Sequence, residues 1–407
     1  MLKNLDHTYH GNQILRMKNF KKDPKWTSGN ELQYLKQVLE NNKTVKSNPF
    51  TDRLERAFCE TYGVNYAIAM NSATSAIHVA LHVLGIKSGD EVITTPYSVI
   101  MDSSIPIYMG AKPVFADVQY DTHNIDPKSV EEKITEKTKA IIAVSYHGLP
   151  YDIDGITSVS KKYNIPVIED NAQTQIVKYK SRNIANESTF ALFSFERTKH
   201  ISTGEGGLLV TNCGHLAEEA RKFSGLGFMN LTSSKSKMVA ITPKDFQRPD
   251  FLRHDRIGLN YRYTEFCAAV ALAQFERVNE IVQLRQNIGK KYDKLFEGTD
   301  FEPQTVREGY EHSYFSYGVK SPFEEKKHWI DFYDFHLENG GDDFYAMMQP
   351  AYREPIMDSL KYKSEYDGTC PIAEKVQKRS MLFKTNYRTI EEAEFYLEKL
   401  RDSLNNY

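Results

Sequence analysis

At 407 residues, with 40% hydrophobic and 26% charged side chains, the chain has enough material for one large domain and one smaller one around ample core. A formal net charge of −2 gives no reason to expect a nucleic acid or a membrane surface as partner. No apolar run reaches the roughly 18 residues needed to cross a bilayer, and the start of the chain lacks a signal-peptide core.

The four cysteines, Cys59, Cys213, Cys267 and Cys370, are scattered. They offer neither a disulfide framework nor zinc or iron–sulfur spacing, so a reduced cytoplasmic enzyme without a metal is the expectation.

In chain order, residues 1–30 are polar and irregular and read as an arm lying on the body or on a partner. Apolar residues recur at helical spacing over 31–39 and 50–62, for example Leu54, Phe58 and Tyr62. Residues 65–70 read as a short strand. Asn71-Ser72-Ala73-Thr74-Ser75-Ala76 follows at once, and then a helix carrying Ile77, Leu81 and Leu84, with Gly85 as its stop. Small hydroxyl residues at that helix start admit two readings: a plain N-cap, or a dipole end whose free N–H groups bind an anion.

Strands and helices then alternate. Strands are expected over 91–94, 113–117, 140–144 and 165–168, the last ending in Glu169-Asp170. Helices are expected over 126–136 and 154–163, and Pro96-Tyr97-Ser98 reads as a turn. Such alternation with apolar strands implies a mainly parallel sheet covered on both faces, with ligands at the carboxyl ends of its strands.

Between two apolar runs lies Ser194-Phe195-Glu196-Arg197-Thr198-Lys199-His200-Ile201-Ser202-Thr203-Gly204-Glu205-Gly206-Gly207, a loop with one lysine among small residues. It suits a lysine held indoors to form a Schiff base, with backbone nitrogens and a hydroxyl nearby for a phosphate. Asp170, Lys199 and the Ser72–Ser75 turn all lie at strand ends and are expected to converge on one crevice. Residues 225–256 read as a long surface loop with a polar tract at 233–237. Thr264 caps a further helix. The boundary is drawn at 250: residues 1–250 form the arm and large domain, and 251–407 the smaller one.

Six landmarks stand in order: Asn71-Ser72-Ala73-Thr74-Ser75-Ala76-Ile77-His78, Gly89-Asp90-Glu91-Val92-Ile93, Gly110-Ala111-Lys112-Pro113-Val114-Phe115, Glu169-Asp170-Asn171-Ala172-Gln173, the 194–207 loop, and Gly258-Leu259-Asn260-Tyr261-Arg262. In these the chain resembles the DegT/DnrJ/EryC1/StrS family of pyridoxal-phosphate sugar aminotransferases, over about residues 50–274 and more weakly beyond.

The resemblance implies an α/β fold of the aspartate aminotransferase type (fold type I). It implies pyridoxal 5′-phosphate as cofactor, glutamate as amino donor and a keto-deoxysugar, mostly nucleotide-linked, aminated at C3 or C4. Surface-polysaccharide or amino-sugar biosynthesis is the setting it suggests. It further implies that Lys199 holds the cofactor and moves the proton, that Asp170 faces the pyridine nitrogen, and that Gln173 approaches the phenolic oxygen. Ser72, Ala73, Thr74 and Ser194 would hold the phosphate. Asn260, with Arg262, would reach the phosphate of a neighbouring subunit, in a homodimer with shared sites.

The chain departs from the family's pattern at Val99, where relatives carry an aromatic residue over the cofactor ring; either Val99 makes a smaller contact or Tyr97 substitutes. Ala73, Leu149 and Thr174-Gln175 are further departures. The alternatives are a dehydratase of the same fold, which replaces the lysine by histidine, and a non-catalytic cofactor-binding sensor. Lys199 in the lysine slot and the intact Asp170–Gln173–Lys199 set speak against them. His200 is expected to pack behind the loop, His312 to be structural, and Glu205 to brace the glycine turn.

Overall fold

The computed structural model describes residues 28–40, 49–233, 244 and 247–407. Most of the expected arm and most of the polar tract at 233–237 lie outside the described residues. Helices α1 (Glu31–Glu40) and α2 (Pro49–Tyr62) come first, then β1 (Tyr66–Met70), α3 (Ala73–Val83), β2 (Glu91–Thr94), α4 (Met101–Tyr108), β3 (Lys112–Phe115), α5 (Pro127–Lys133), β4 (Thr138–Val144), α6 (Ile153–Tyr163) and β5 (Val167–Asp170). A two-stranded ribbon, β6 (Lys178–Tyr179) and β7 (Arg182–Asn183), precedes β8 (Phe190–Ser194), β9 (Gly207–Thr211) and α7 (Gly214–Ser224).

Seven of these strands form one sheet in the order β1-β9-β8-β5-β4-β2-β3. Pairing is parallel from β8 to β3, and β9 alone runs against its neighbours β1 and β8. The alternation read from the sequence thus gives the expected mainly parallel sheet. Strands such as Ala140-Ile141-Ile142-Ala143-Val144 are buried along their length because helices cover both faces. On one face Leu54, Phe58, Ile141 and Phe193 share a core; on the other Ile68, Ile77, Leu81 and Leu192 share a second.

Local chemistry fixes the element ends that matter. Ser72 caps α3, its Oγ accepting the Ser75 N–H at 3.0 Å, a contact worth about 1 kcal/mol. Gly85 takes φ 76° just beyond the helix, a left-handed turn that costs glycine nothing. Helix α4 was not among the expected elements. Pro106 interrupts its pattern, and a proline in a helix interior ordinarily argues against one.

Beyond residue 250, helix Glu265–Phe275 packs against α1 and α2. A second sheet follows, in the order β10 (Glu302–Pro303), β11 (Ser316–Lys320), β13 (Ser380–Lys384), β12 (Tyr345–Ala346). Helices Val278–Phe296, Lys326–Glu338 and Ile390–Asn406 bury Ile288, Phe332 and Leu397 against it. Among the described residues no helix is long and apolar enough to cross a membrane.

Candidate active site

The carboxyl ends of β1, β8 and β5 fall side by side on one edge of the large sheet, with the start of β9 between the first two. Gly207 stands opposite Met70 on one side and Ser194 on the other. A Cβ on Gly207 would lie 2.4 Å from Ala73 N and from Ser72 C. Only a hydrogen in that position lets the α3 N-terminus approach the sheet so closely. Ser72 then presents α3 to the edge, and by position the Ala73 and Thr74 N–H groups have no acceptor within the helix.

At this edge a cavity of about 550 Å³ opens. Ser72, Ala73, Thr74, Val99, Asp170, Gln173, Ser194 and Lys199 all line it, so three segments distant in sequence meet as expected. Asn260 and Arg262 do not line it. Both are exposed on the stretch after the long loop, where Tyr261 O accepts the Asn71 N–H at 2.9 Å. Tyr97 does not substitute for an aromatic lid. It is buried away from the cavity, with its hydroxyl donating to the Ala373 carbonyl, because the turn sends Val99, 47% exposed, towards the opening instead. Leu149 and Gln175 are also core residues, Gln175 Oε1 accepting the Tyr62 hydroxyl at 2.6 Å.

The lysine loop is held from within and from behind. Phe195 N donates to Gly206 O at 2.8 Å and Thr203 N to Phe195 O at 2.9 Å. Gln274, on helix Glu265–Phe275, both accepts from Ser202 N (2.9 Å) and donates to Ser202 O (2.7 Å). His200 packs behind the loop as expected, its Nε2 2.9 Å from Ser313 O. Glu205 supplies its backbone carbonyl to Thr203 Oγ1 at 2.7 Å while lining the cavity. His312 is a structural residue here, joined to Gln304 and to Tyr314 N; burial pushes its imidazole down to about 3, so it stays neutral.

Lys199 is 8% exposed, with Nζ 4.5 Å from the centroid of the Phe315 ring. Burial lowers its pKa, and the negative charges of Asp170 and Glu196 pull the other way. Asp170 is also buried. Its carboxyl pKa is raised by desolvation, against the Ala172 N–H that donates to Oδ1 at 2.7 Å and the charge of Lys199. Gln173 Oε1 accepts the His147 N–H at 2.7 Å, which leaves Nε2 as the end able to donate into the cavity.

Several lining residues carry no signal that sequence reasoning used. Tyr146, His147 and Asp102 come from the connection ends of the large sheet, and Phe315, Ser316, Tyr345, Met348, Lys384 and Asn386 from around the second sheet. An acidic residue in the otherwise apolar and small run Met101-Asp102-Ser103-Ser104-Ile105 was the one available hint.

Residues 26–394 match the DegT/DnrJ/EryC1/StrS aminotransferase family. The chain belongs to this family. Among solved structures it is similar to an aminotransferase from Psychrobacter cryohalolentis, at 26% identity and TM-score 0.84, over 92% of this chain and 96% of that one. It is also similar to 3-amino-5-hydroxybenzoic acid synthase (24%, TM-score 0.81, 94% and 99% covered). Helicobacter pylori PseC, an aminotransferase involved in pseudoaminic acid biosynthesis, matches at 24% and TM-score 0.79, with 93% and 96% covered. The last two likenesses speak to the fold, which is the fold type I of pyridoxal-phosphate enzymes.

The protein is therefore a pyridoxal-phosphate-dependent aminotransferase. Its cavity fits that cofactor: a helix N-terminus with open N–H groups for a phosphate, a buried carboxyl for a ring nitrogen, and a buried amine.

Proposed function

We propose that the protein transfers an amino group from glutamate to the C3 or C4 keto group of a keto-deoxysugar, most simply a nucleotide-linked one, for surface-polysaccharide or amino-sugar biosynthesis in the cytoplasm. The observation carrying this reading is the convergence of Lys199, Asp170, Gln173 and the α3 N-terminus on one 550 Å³ cavity, in a chain of this family. That volume accommodates a cofactor and a sugar together.

In this reading the Ala73 and Thr74 N–H groups, with the Thr74 and Ser194 hydroxyls, bind the phosphate, and Ser72 holds the helix start that presents them. Val99 contacts one face of the ring. The Asp170 carboxylate faces the pyridine nitrogen and keeps it protonated; at about 4 Å and an effective dielectric near 20 such a pair is worth ~4 kcal/mol. The bound cofactor supplies an electron sink for the carbon that loses a proton. Lys199 holds the cofactor at rest. Its Nζ is the group that would take the proton from the donor's Cα, and burial lowers its pKa towards the form that can accept one.

The exposed positions of Asn260 and Arg262 support a homodimer in which each reaches the partner's phosphate. The second sheet, with its own core from Ile288 onward, supports a smaller C-terminal domain, while Tyr263 and helix Glu265–Phe275, within the proposed 251–407, share the core of the large sheet. The walls contributed by Tyr345, Met348 and Asn386 would meet the sugar.

The test is a screen of nucleotide-linked 3- and 4-keto-deoxysugars with glutamate, following amino-sugar product by mass spectrometry. Product from one of them is expected. Turnover of glutamate with simple keto acids but with none of the sugars would overturn the substrate reading.

A further inference from the structure

Beside Asp170 the cavity wall carries a second acid that the reaction as described does not use. Asp102 stands in the first turn of α4 and is 1% exposed. Ser98 Oγ donates to its Oδ2. Its Oδ1 is buried without a donor from any other described group, and the side chain it meets is the carboxyl of Asp170. Two carboxylates cannot donate to each other. Their contact in the interior needs a proton on one of them, as in other buried acid pairs.

The surrounding charges agree. The charged group facing the pair is Lys199, with Glu196 and Arg285 acting on it from the lysine loop and from helix Val278–Phe296; His147 lines the same cavity, and burial lowers its imidazole to about 3. One shared proton leaves the acid pair with a single negative charge beside Lys199, a charge that favours the protonated amine against the lowering by burial. Two ionised carboxylates would leave an excess negative charge in a closed space, at high desolvation cost.

We propose that Asp102 and Asp170 share one proton, and that Asp102 is a positioning residue which holds Asp170 towards the cofactor's ring nitrogen by donating to it. The proposal rests on the aminotransferase reading for its role at the cofactor, but the shared proton belongs to this chain alone. Ser98 donating to Oδ2 leaves the buried Asp102 Oδ1 as the oxygen with room for the proton, while Asp170 Oδ1 already accepts the Ala172 N–H; burial and the charge of Asp170 push the Asp102 carboxyl above its ordinary range in the same sense. Such a pair titrates as a unit.

The first test uses the full-length apoprotein labelled with 13C-aspartate, by infrared difference spectroscopy at pH 7. The spectrum of wild type minus Asp102→Asn is expected to contain the C=O band of a protonated acid. In Asp170→Asn that band is expected to remain but to move, because its acceptor is now an amide. No protonated band in the first difference, or an unmoved band in Asp170→Asn, overturns the shared proton. Should Asp102→Asn fail to fold by circular dichroism, Asp102→Ser serves in its place.

The second test follows the visible band of the holoenzyme against pH without substrate. Its midpoint is expected to move by about one pH unit or more in Asp102→Asn; an unchanged midpoint overturns the positioning role. Neither readout involves a sugar, so failure of the proposed substrate would leave both untouched.

Discussion

Removing the carboxylate of Glu55 is expected to destabilise the protein by about 3–5 kcal/mol, the cost of stranding a buried charge. Glu55 on α2 and Arg221 on α7 are 7% and 5% exposed. Arg221 Nη1 and Nη2 donate to Oε1 and Oε2 at 3.1 and 3.0 Å. The pair clasps β1 between them: Arg221 Nη2 also donates to Ala67 O at 2.9 Å, and Ala69 N donates to Glu55 Oε1 at 2.9 Å. In Glu55→Met the guanidinium keeps its backbone acceptors, Ala67 O at 2.9 Å and Ser233 O at 3.5 Å, and loses its counter-charge. The Ala69 N–H, left without an acceptor, accounts for about 1–3 kcal/mol of the loss.

Because β1 delivers Ser72 to the cavity, cofactor affinity should fall together with stability. The assay is urea denaturation of the apoprotein followed by far-UV circular dichroism, with ΔG extrapolated linearly, on Glu55→Met, Arg221→Met and the double variant. The double variant has no stranded charge, so it should be more stable than Glu55→Met by about 1 kcal/mol or more. A single-variant loss below about 1 kcal/mol, the range of exposed pairs, or a double loss equal to the sum of the singles, would refute the reasoning.

Lys199→Ala should bind the cofactor without turnover, and borohydride should no longer fix the cofactor to the protein; mass spectrometry of the reduced adduct checks this, and normal activity would contradict the assigned role. Burial lowers the Lys199 pKa, so cofactor reconstitution of the apoprotein should rise with pH through a midpoint below the ordinary lysine value of about 10.4. Asp170→Asn removes a negative charge that holds the proton on Nζ, so its midpoint should lie lower still; stopped-flow absorbance at varied pH checks this, and an upward shift would refute it. Gly207→Ala places a methyl 2.4 Å from Ala73 N and should weaken cofactor binding at least about tenfold, or ~1.4 kcal/mol. Fluorescence titration giving the wild-type Kd would remove the argument that β9 sets the α3 N-terminus.

Much of the large sheet was legible because its strands are covered on both faces, so Ala140-Ile141-Ile142-Ala143-Val144 reads as a strand without any partner in view. Ser72 was legible as a cap, and its two readings turn out to be compatible, since the Oγ that accepts from Ser75 N leaves the first N–H groups of α3 unused. What escaped were features that need the fold to exist. Strands β10 and β12 have two residues each and no periodicity to detect. Helix α4 hides behind Pro106. Tyr97 and Val99 alternate in sequence, yet nothing local says which faces the cavity; the hydroxyl bond to Ala373, 276 residues away, decides it. The meeting of Asp102 with Asp170 depends in the same way on how α4 follows β2.

The cavity's two sides differ in how they are built. The side carrying the amine, the acid and the helix end is stitched into adjoining backbone ladders, where moving one residue drags a whole strand with it. The facing side comes from Ser316 on β11 and Leu382, Phe383 and Lys384 on β13, and at its margin from the two-residue strand β12 with Met348 and Asn386 beside the sheet. Substitutions at that margin change the cavity wall one side chain at a time, without moving the lysine loop or the start of α3. Exchange of Tyr345, Met348 and Asn386 is accordingly the expected route by which this scaffold would acquire a differently shaped acceptor, if these residues meet the substrate as proposed.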